Sequence, residues 1–271
     1  MIGIKQLREK KLAQEKITMI TAYDYFTAKL VEEAGIETIL VGDSLGMVFK
    51  GEENTLNVTL EEIIYHTKTV RKGAQDTFII ADMPFMSYHL SPIESKKNAA
   101  RLIVEGGANA VKLEGGSQSR LEMIRSILDC EIPVVGHLGL TPQSIHKIGN
   151  FKVQGKQEDD AVRLIEQAKE VEQAGAFLLV LEAVPEQLGK DISETLNIPV
   201  IGIGAGRYTD GQVLVINDLL GLSDYQAKFT KKYVDLKETL LSGLKEYHKE
   251  VKQQQFPGKE NTYYPISDTK Q

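Results

Sequence analysis

Lys112 and Glu114 are the residues whose types and spacing most directly suggest chemistry. They lie in Ala110-Val111-Lys112-Leu113-Glu114-Gly115-Gly116, a segment that predicts a short buried strand followed by two glycines. Successive side chains of a strand point to opposite faces, so these two charged side chains share one face. Opposite charges inside a buried strand are costly unless they are paired. The pair is therefore either a salt bridge at a strand end or part of a site that holds an anion and a metal ion.

Other apolar runs in the chain also end in a carboxylate or an imidazole. Helix N-capping explains some of these acids, and Asp24 could be only a cap, but capping does not easily explain so many. The residues at predicted strand ends are Asp24, Asp43, Asp82, Glu114, His137, Glu182 and Asp218.

Asp43, Asp82 and Glu114 follow three successive predicted strands. In a barrel they would converge on one rim, where three close carboxylates repel each other unless a cation lies between them. Oxygen ligands without cysteine suit a hard ion, above all Mg²⁺. The alternative is that the three acids are dispersed helix caps or salt-bridge partners.

Three further side chains have candidate roles. Lys112 could form a Schiff base or act as a fixed cation for a carboxylate or enolate, and a neighbouring metal site favours the fixed cation. His137 is predicted to contact the substrate. Glu182 follows the apolar run 177–181, where a carboxylate would have a raised pKa that suits a general base. For Glu182 the alternative is a capping acid before Pro185.

Predicted strands alternate with predicted helices along most of the chain. The strands are almost continuous runs of Val, Ile and Leu, which indicates a parallel sheet covered by helices. About eight such units in roughly 250 residues predict a (β/α)8 TIM barrel, with a doubly wound sheet as the rival. The predicted strands are 16–21, 37–42, 77–81, 109–113, 133–136, 176–181, 199–204 and 212–216.

The predicted organisation has three parts. Residues 1–16 form a short helix packed outside the main domain, residues 17–255 form the barrel with its C-terminal helices, and residues 256–271 form a polar tail. The long loops 45–57 and 138–157 are candidate lids. Gly202-Ile203-Gly204-Ala205-Gly206 favours a tight turn over a phosphate site, because a dinucleotide fingerprint needs a third glycine at another spacing.

Composition excludes several classes of protein. The chain has 271 residues, a net charge of −6 and a pI of about 5.5, which give no electrostatic basis for nucleic-acid binding. No apolar run approaches the roughly 20 residues that span a bilayer. The single cysteine, Cys130, fits a reducing compartment such as the cytoplasm, and it is predicted to be a buried filler.

Motifs spread through the chain resemble those of the ketopantoate hydroxymethyltransferase family. The similarity runs in order from about Ile17 to Leu222. The matching segments are Ile20-Thr21-Ala22-Tyr23-Asp24-Tyr25, Val41-Gly42-Asp43-Ser44-Leu45-Gly46-Met47, Ala81-Asp82-Met83-Pro84-Phe85-Met86, Val111-Lys112-Leu113-Glu114-Gly115-Gly116, Gly136-His137-Leu138-Gly139-Leu140-Thr141-Pro142-Gln143, Lys152-Val153-Gln154-Gly155, Leu181-Glu182 and Ile201-Gly202-Ile203-Gly204-Ala205-Gly206.

This resemblance implies a barrel of the phosphoenolpyruvate/ketobutyrate type that transfers a hydroxymethyl group from 5,10-methylenetetrahydrofolate to 3-methyl-2-oxobutanoate. The product would be 2-dehydropantoate, on the way to pantothenate. The resemblance also implies a Mg²⁺-stabilised enolate and a large homo-oligomer, typically a decamer. Rival functions are a Mg²⁺-dependent 2-oxo acid lyase or mutase on the same barrel, and a non-catalytic barrel that binds a metabolite.

The resemblance assigns a role to each candidate residue. Mg²⁺ would be held by Asp43, Asp82 and Glu114, some of them through water, and Glu182 would accept the proton. The residues expected to bind the substrate are Asp43, Ser44, Asp82, Lys112 and His137.

Overall fold

The computed structural model describes residues 2–224 and 227–265 of the chain. Two compact units are distinguished: one contains residues 2–216 and 227–230, and the other contains residues 217–224 and 231–265. Of the predicted polar tail, residues 266–271 lie outside the described part, and residues 256–265 are largely exposed with one 3₁₀ turn at Lys259–Asn261. No helix in the described ranges is long and apolar enough to cross a membrane.

Eight parallel strands form a closed barrel in sequence order, as predicted. Each strand pairs with its neighbours in the chain, and β1 pairs with β8 to close the ring. The barrel excludes the doubly wound alternative. The strands are β1 (Ile17–Thr21), β2 (Thr38–Val41), β3 (Phe78–Asp82), β4 (Ala110–Glu114), β5 (Val134–Gly139), β6 (Leu178–Glu182), β7 (Val200–Ile203) and β8 (Gly211–Leu214).

Helices connect most of the strands, and polar residues cap several of them. Asp24 follows β1 and accepts a hydrogen bond from the backbone N–H of Thr27 at 2.9 Å, so it is a helix cap. Residues 204–210 connect β7 to β8 without a helix. The helices are α1 (Ile4–Leu12), α2 (Tyr25–Glu33), α3 (Leu45–Val48), α4 (Leu60–Gly73), α5 (Pro92–Val104), α6 (Gln118–Leu128), α7 (Ile145–Ile148), α8 (Glu158–Gln173), α9 (Glu186–Thr195), α10 (Ile216–Leu220) and α11 (Leu236–Lys252).

The hydrophobic core has two layers because strand side chains alternate between the two faces of the sheet. Residues such as Val111 and Leu113 point outward and pack with the helices, whereas Phe78, Ile80 and Val135 fill the barrel interior. The interior cluster includes Leu7 of α1, which is completely buried. Helix α1 therefore packs against the barrel through Leu7, and the division into residues 1–16 and 17–255 stays a prediction.

Three sequence predictions are corrected. Cys130 is exposed instead of buried, because α6 ends at Leu128 and the cysteine lies beyond its last turn. Asp218 does not end a strand, because β8 stops at Leu214 and Asp218 lies in α10. The predicted lid loops contain ordered structure: α3 lies in the first, and a 3₁₀ turn at Pro142–Ser144 precedes α7 in the second.

Candidate active site

The register of the central strands places charged residues side by side inside the barrel. Asp82 of β3 is paired with Lys112 of β4, and Glu114 of β4 is paired with His137 of β5. All four side chains point inward because they continue the alternation of the apolar interior residues before them. His137 lies within β5 and not just after it, since the strand extends to Gly139.

These side chains line one small cavity, of about 60 Å³, at the carboxyl ends of the strands. The cavity lining is partly charged and partly apolar, and its apolar residues include Leu40, Val180 and Val213. Every candidate residue from the sequence analysis except the capping Asp24 and the displaced Asp218 is present. The predicted residues that line the cavity are Asp43, Ser44, Asp82, Lys112, Glu114, His137 and Glu182.

Lys112 is a buried, charged amine. Its Nζ lies 2.8 Å from Asp82 Oδ1 and 3.2 Å from His137 Nδ1. Burial lowers the pKa of Lys112, but the negative charges of Asp82, Glu114 and Asp43 raise it more, so that it lies above its ordinary value. An amine held in its ammonium form suits a fixed cation better than a Schiff-base nucleophile, which must be neutral.

Asp43 lies close to two other carboxylates, those of Asp82 and Glu114. Its backbone N–H donates to Asp82 Oδ2 at 2.9 Å, so the ends of β2 and β3 are joined. Burial, together with the charges of Asp82 and Glu114, raises the pKa of Asp43 well above its ordinary value. An additional cation near these carboxylates would relieve that repulsion.

His137 bridges two carboxylates that come from neighbouring strands. Its Nδ1 lies 3.4 Å from Glu114 Oε1, and its Nε2 lies 3.3 Å from Glu182 Oε2. Burial and the charge of Lys112 lower the pKa of His137, but the interactions with Glu114 and Glu182 raise it more, to about 9. Glu182 is the more exposed end of this row, with 16% of its side chain accessible, and it faces the cavity.

The fit of this site to a metal ion depends on the contacts that its carboxylate oxygens make. In the described ranges, no group of three or more His, Cys, Asp or Glu side chains is arranged to hold a metal ion. Glu114 Oε1 is nevertheless buried without a partner of hydrogen-bond geometry, whereas Asp82 Oδ1 is paired with the Lys112 ammonium at 2.8 Å. Mg²⁺ is usually held by one or two carboxylates, with water and substrate oxygens completing its shell. The oxygen donors present fit such a partly built site better than a complete protein cage.

Several residues of the site were not predicted from the sequence. Gln143 lies in the 3₁₀ turn after β5, is 5% exposed and bonds to Asp43. Tyr88, from the segment between β3 and α5, donates its hydroxyl proton to Gln143 Oε1 at 2.6 Å. The Tyr23 hydroxyl lies 2.8 Å from Ser44 Oγ. Polar loop residues give no periodic signal, so only their place in motifs beside Asp24, Asp82 and His137 could have drawn attention to them.

Comparison with known proteins identifies the family. The family model described as ketopantoate hydroxymethyltransferase matches residues 1–259 of the chain. The chain belongs to the ketopantoate hydroxymethyltransferase family. A relative from Clostridium botulinum (strain Alaska E43 / Type E3) is 53% identical over 96% of this chain and 94% of its own length. Another, from Clostridium novyi (strain NT), is 55% identical over 92% of this chain and 90% of its own length. Both are named 3-methyl-2-oxobutanoate hydroxymethyltransferase.

Solved structures place this member of the ketopantoate hydroxymethyltransferase family among related barrels. A phosphoenolpyruvate phosphomutase from Streptomyces platensis subsp. rosaceus matches with a TM-score of 0.63 and 14% identity, over 98% of this chain and 93% of that one. A 2,3-dimethylmalate lyase of the PEP mutase/isocitrate lyase superfamily matches with a TM-score of 0.60, 14% identity and the same coverage of both chains. At this identity the likeness concerns the fold, and it agrees with the predicted barrel type.

Proposed function

We propose that this enzyme transfers a hydroxymethyl group from 5,10-methylenetetrahydrofolate to 3-methyl-2-oxobutanoate and forms 2-dehydropantoate for pantothenate biosynthesis. The family and the names of the relatives support this reaction. The observation that carries the proposal for this site is that both charged and apolar side chains line its small cavity. A branched 2-oxo acid offers both kinds of surface, a charged 2-oxo acid end and an isopropyl end.

The charged side chains that line the cavity would hold the 2-oxo acid end of the substrate. The Lys112 ammonium offers a fixed positive charge, and Ser44 Oγ offers a hydroxyl. The isopropyl group would then lie against Leu40, Val180 and Val213, which exclude water from the reacting carbon. Val180 and Glu182 lie two residues apart in β6 and share its inward face, so carbon 3 of the substrate would lie near the Glu182 carboxylate.

A Mg²⁺ ion, when bound, would supply a Lewis acid that stabilises negative charge on the 2-oxo group. Asp43 and Asp82 are the carboxylates proposed to hold it, and Glu114 is proposed as the third, through water. Four carboxylates line the cavity (Asp43, Asp82, Glu114 and Glu182) against two cationic side chains, Lys112 and the protonated His137, an excess of negative charge that favours binding of a divalent cation.

Glu182 is the proposed general base. Its carboxylate would accept the proton from carbon 3, and Lys112 would stabilise the enolate charge that develops on the 2-oxo oxygen. The methylene carbon of the folate then exchanges both of its bonds to nitrogen, one for a bond to carbon 3 and the other for a bond to the oxygen of water, while the proton from carbon 3 and one proton of the water end on the two nitrogens. One water molecule supplies the hydroxyl oxygen of the product, and tetrahydrofolate is released. His137 Nε2 lies 3.3 Å from Glu182 Oε2, so the charged imidazole would stabilise the Glu182 carboxylate electrostatically.

An assay of product formation tests this function. Formation of 2-dehydropantoate from 3-methyl-2-oxobutanoate should require both methylenetetrahydrofolate and a divalent cation. A 2-oxo acid lyase or mutase would consume its substrate without the folate, and a non-catalytic barrel would convert nothing. Either of these results would overturn the proposal.

The proposed setting is the cytoplasm, and the proposed assembly is a homo-oligomer, a decamer by analogy with the family. Helix α11 supports self-association, because apolar side chains on it, including Leu240, Leu244 and Tyr247, are more than half exposed. Light scattering should detect a species many times the 30.1 kDa mass of the chain. A monomer at micromolar concentration would contradict this assembly.

A further inference from the structure

Gln143 makes an unusually complete set of hydrogen bonds for a loop residue. Its Nε2 donates to Asp43 Oδ2 at 2.8 Å and to the carbonyl oxygen of Met83 at 3.0 Å, and its backbone N–H donates to Glu114 Oε2 at 3.1 Å. A single buried residue in the turn after β5 therefore contacts carboxylates that come from β2 and β4.

Tyr88 determines which way the Gln143 amide points. The backbone N–H of Glu114 donates to the Tyr88 hydroxyl at 3.2 Å, so that hydroxyl is an acceptor on one side. Its own proton goes to Gln143 Oε1 at 2.6 Å. Since the amide oxygen faces Tyr88, the amide NH₂ must face Asp43 and Met83. Both protons of the NH₂ group then have acceptors, and the orientation is fixed by the network.

Gln143 holds one oxygen of each of two acidic side chains. Asp43 Oδ2 and Glu114 Oε2 accept hydrogen bonds from it, whereas Glu114 Oε1 lies 3.4 Å from His137 Nδ1 without hydrogen-bond geometry. Rotation of either carboxylate would break a buried hydrogen bond to Gln143, which is costly. Gln143 thus holds each carboxylate in one orientation before a ligand binds.

We propose that Gln143 is a positioning residue that orients Asp43 and Glu114 for a divalent cation and its bound 2-oxo acid. This inference rests on the metal site proposed above and adds a residue that supports the ligands without binding the ion. Groups that hydrogen-bond to metal ligands typically change metal affinity or activity by about 10–100-fold when they are removed. Gln143 lies in the segment 138–157, and the ordered turn at Pro142–Ser144 fixes its position there.

The test compares Mn²⁺ affinity of the full-length protein and three variants by electron paramagnetic resonance titration. Gln143→Met keeps the length of the side chain but removes both amide donors, and it should weaken Mn²⁺ binding by about 10–100-fold. Tyr88→Phe keeps the amide but removes the proton that orients it, so its loss should be smaller. Thr67→Val is the control, because it removes a buried hydrogen bond to the carbonyl of Ile63 within α4 and should leave Mn²⁺ affinity unchanged.

A second readout separates positioning from general loss of structure. The Mg²⁺ concentration for half-maximal turnover should rise in Gln143→Met, and excess Mg²⁺ should restore most of kcat. If Gln143→Met fails to fold, Gln143→Asn keeps the amide but is one methylene too short to reach Asp43, and the same weakening is expected.

The possible results distinguish this inference from the proposed function. Mn²⁺ affinity equal to wild type in folded Gln143→Met, or in Gln143→Asn, would overturn the positioning role and leave the metal site intact. If the wild-type protein binds Mn²⁺ no more tightly than Asp43→Asn does, the metal site itself is refuted, together with the role of Gln143 in it.

Discussion

The imidazole Nε2 of His137 lies 3.3 Å from Glu182 Oε2. The opposite ring nitrogen lies 3.4 Å from Glu114 Oε1, so one ring joins the proposed base to a proposed metal-site carboxylate. The sequence places Glu114 and Glu182 two strands apart and predicts independent functions for them. The intervening strand β5 supplies the ring that lies between them, so His137 links the two carboxylates electrostatically although neither contact has hydrogen-bond geometry.

The first prediction concerns Lys112. Lys112→Met should lower kcat by about 10²–10³-fold, because a fixed positive charge next to the developing enolate is lost. Borohydride should trap no substrate on Lys112 in the wild-type protein, since the raised pKa keeps the amine protonated. The matched control is Lys96→Met, which removes a surface ion pair with Asp129 and should leave turnover unchanged. A borohydride-trapped substrate on Lys112 would instead establish a Schiff base.

The second prediction concerns metal removal. Chelation should abolish turnover, and added Mg²⁺ should restore it. Asp43→Asn should reduce the affinity for Mn²⁺ by at least about 10-fold, because a charged ligand becomes a neutral amide. Asp24→Asn is a matched control, since Asp24 also follows a strand but caps α2, and asparagine is an equally good cap. Full turnover after exhaustive chelation would exclude a metal-dependent reaction.

The third prediction concerns the N-terminal helix. Leu7→Ala should lower the free energy of unfolding by about 2–5 kcal/mol, because it leaves a cavity in the barrel interior. Leu12→Ala lies on the same helix but removes a side chain that is 83% exposed, and it should change stability by less than about 0.5 kcal/mol. Urea denaturation of both variants measures the difference. Equal effects would mean that α1 does not stabilise the barrel through its buried face.

The fourth prediction concerns acid stability through His89. This ring packs on Tyr88 at 4.2 Å between centroids, and its buried Nδ1 has no hydrogen-bond partner. Burial and the charge of Arg120 lower the pKa of His89 from 6.5 to about 4. Between these values the unfolded chain binds the proton and the folded protein does not, so stability present above pH 6.5 is lost as the pH falls toward 4.

His89→Gln should remove that part of the pH dependence. The wild-type protein should lose about 1 kcal/mol more than the variant between pH 7 and pH 4.5, after allowance for solvent screening at this partly exposed site. The measurement is the free energy of unfolding in urea at both pH values. Carboxylates titrate in both proteins, so the difference isolates the histidine. Parallel pH profiles would show that His89 is not responsible.

The barrel and the charged row within it could be predicted because both depend on local pattern. Apolar runs set the strands, and the alternation of side chains in β4 correctly placed Lys112 and Glu114 on one face. The ends of strands were harder to predict than their positions, since β5 extends through His137 and β8 stops before Asp218. Hydrogen bonds to neighbouring strands decide such ends, and a single sequence does not contain them.

Contacts made by loops and termini could not be predicted. Gln143 and Tyr88 are polar residues outside strands, where solvent exposure is the usual outcome, yet both are buried by tertiary contacts. Leu7 looked like part of a separate basic helix because its partners are distant in sequence. Nothing in the periodicity of α6 indicated that the helix would end at Leu128 and leave Cys130 exposed.

Glu182 is proposed to remove the proton from carbon 3 of 3-methyl-2-oxobutanoate. Glu182→Gln keeps the shape of the side chain but cannot accept a proton, so turnover should fall by about 10²–10⁴-fold. Binding of Mg²⁺ and of the substrate should persist, because Glu182 is not among the carboxylates proposed to hold the ion.

The most direct measurement is deuterium exchange at carbon 3 of the substrate, followed by NMR in D₂O without the folate donor. If the wild-type protein needs a folate analogue to exchange, one is added to every sample. Exchange is expected with the wild-type protein, and none above background with Glu182→Gln. Exchange at the wild-type rate in Glu182→Gln would show that Glu182 is not the base.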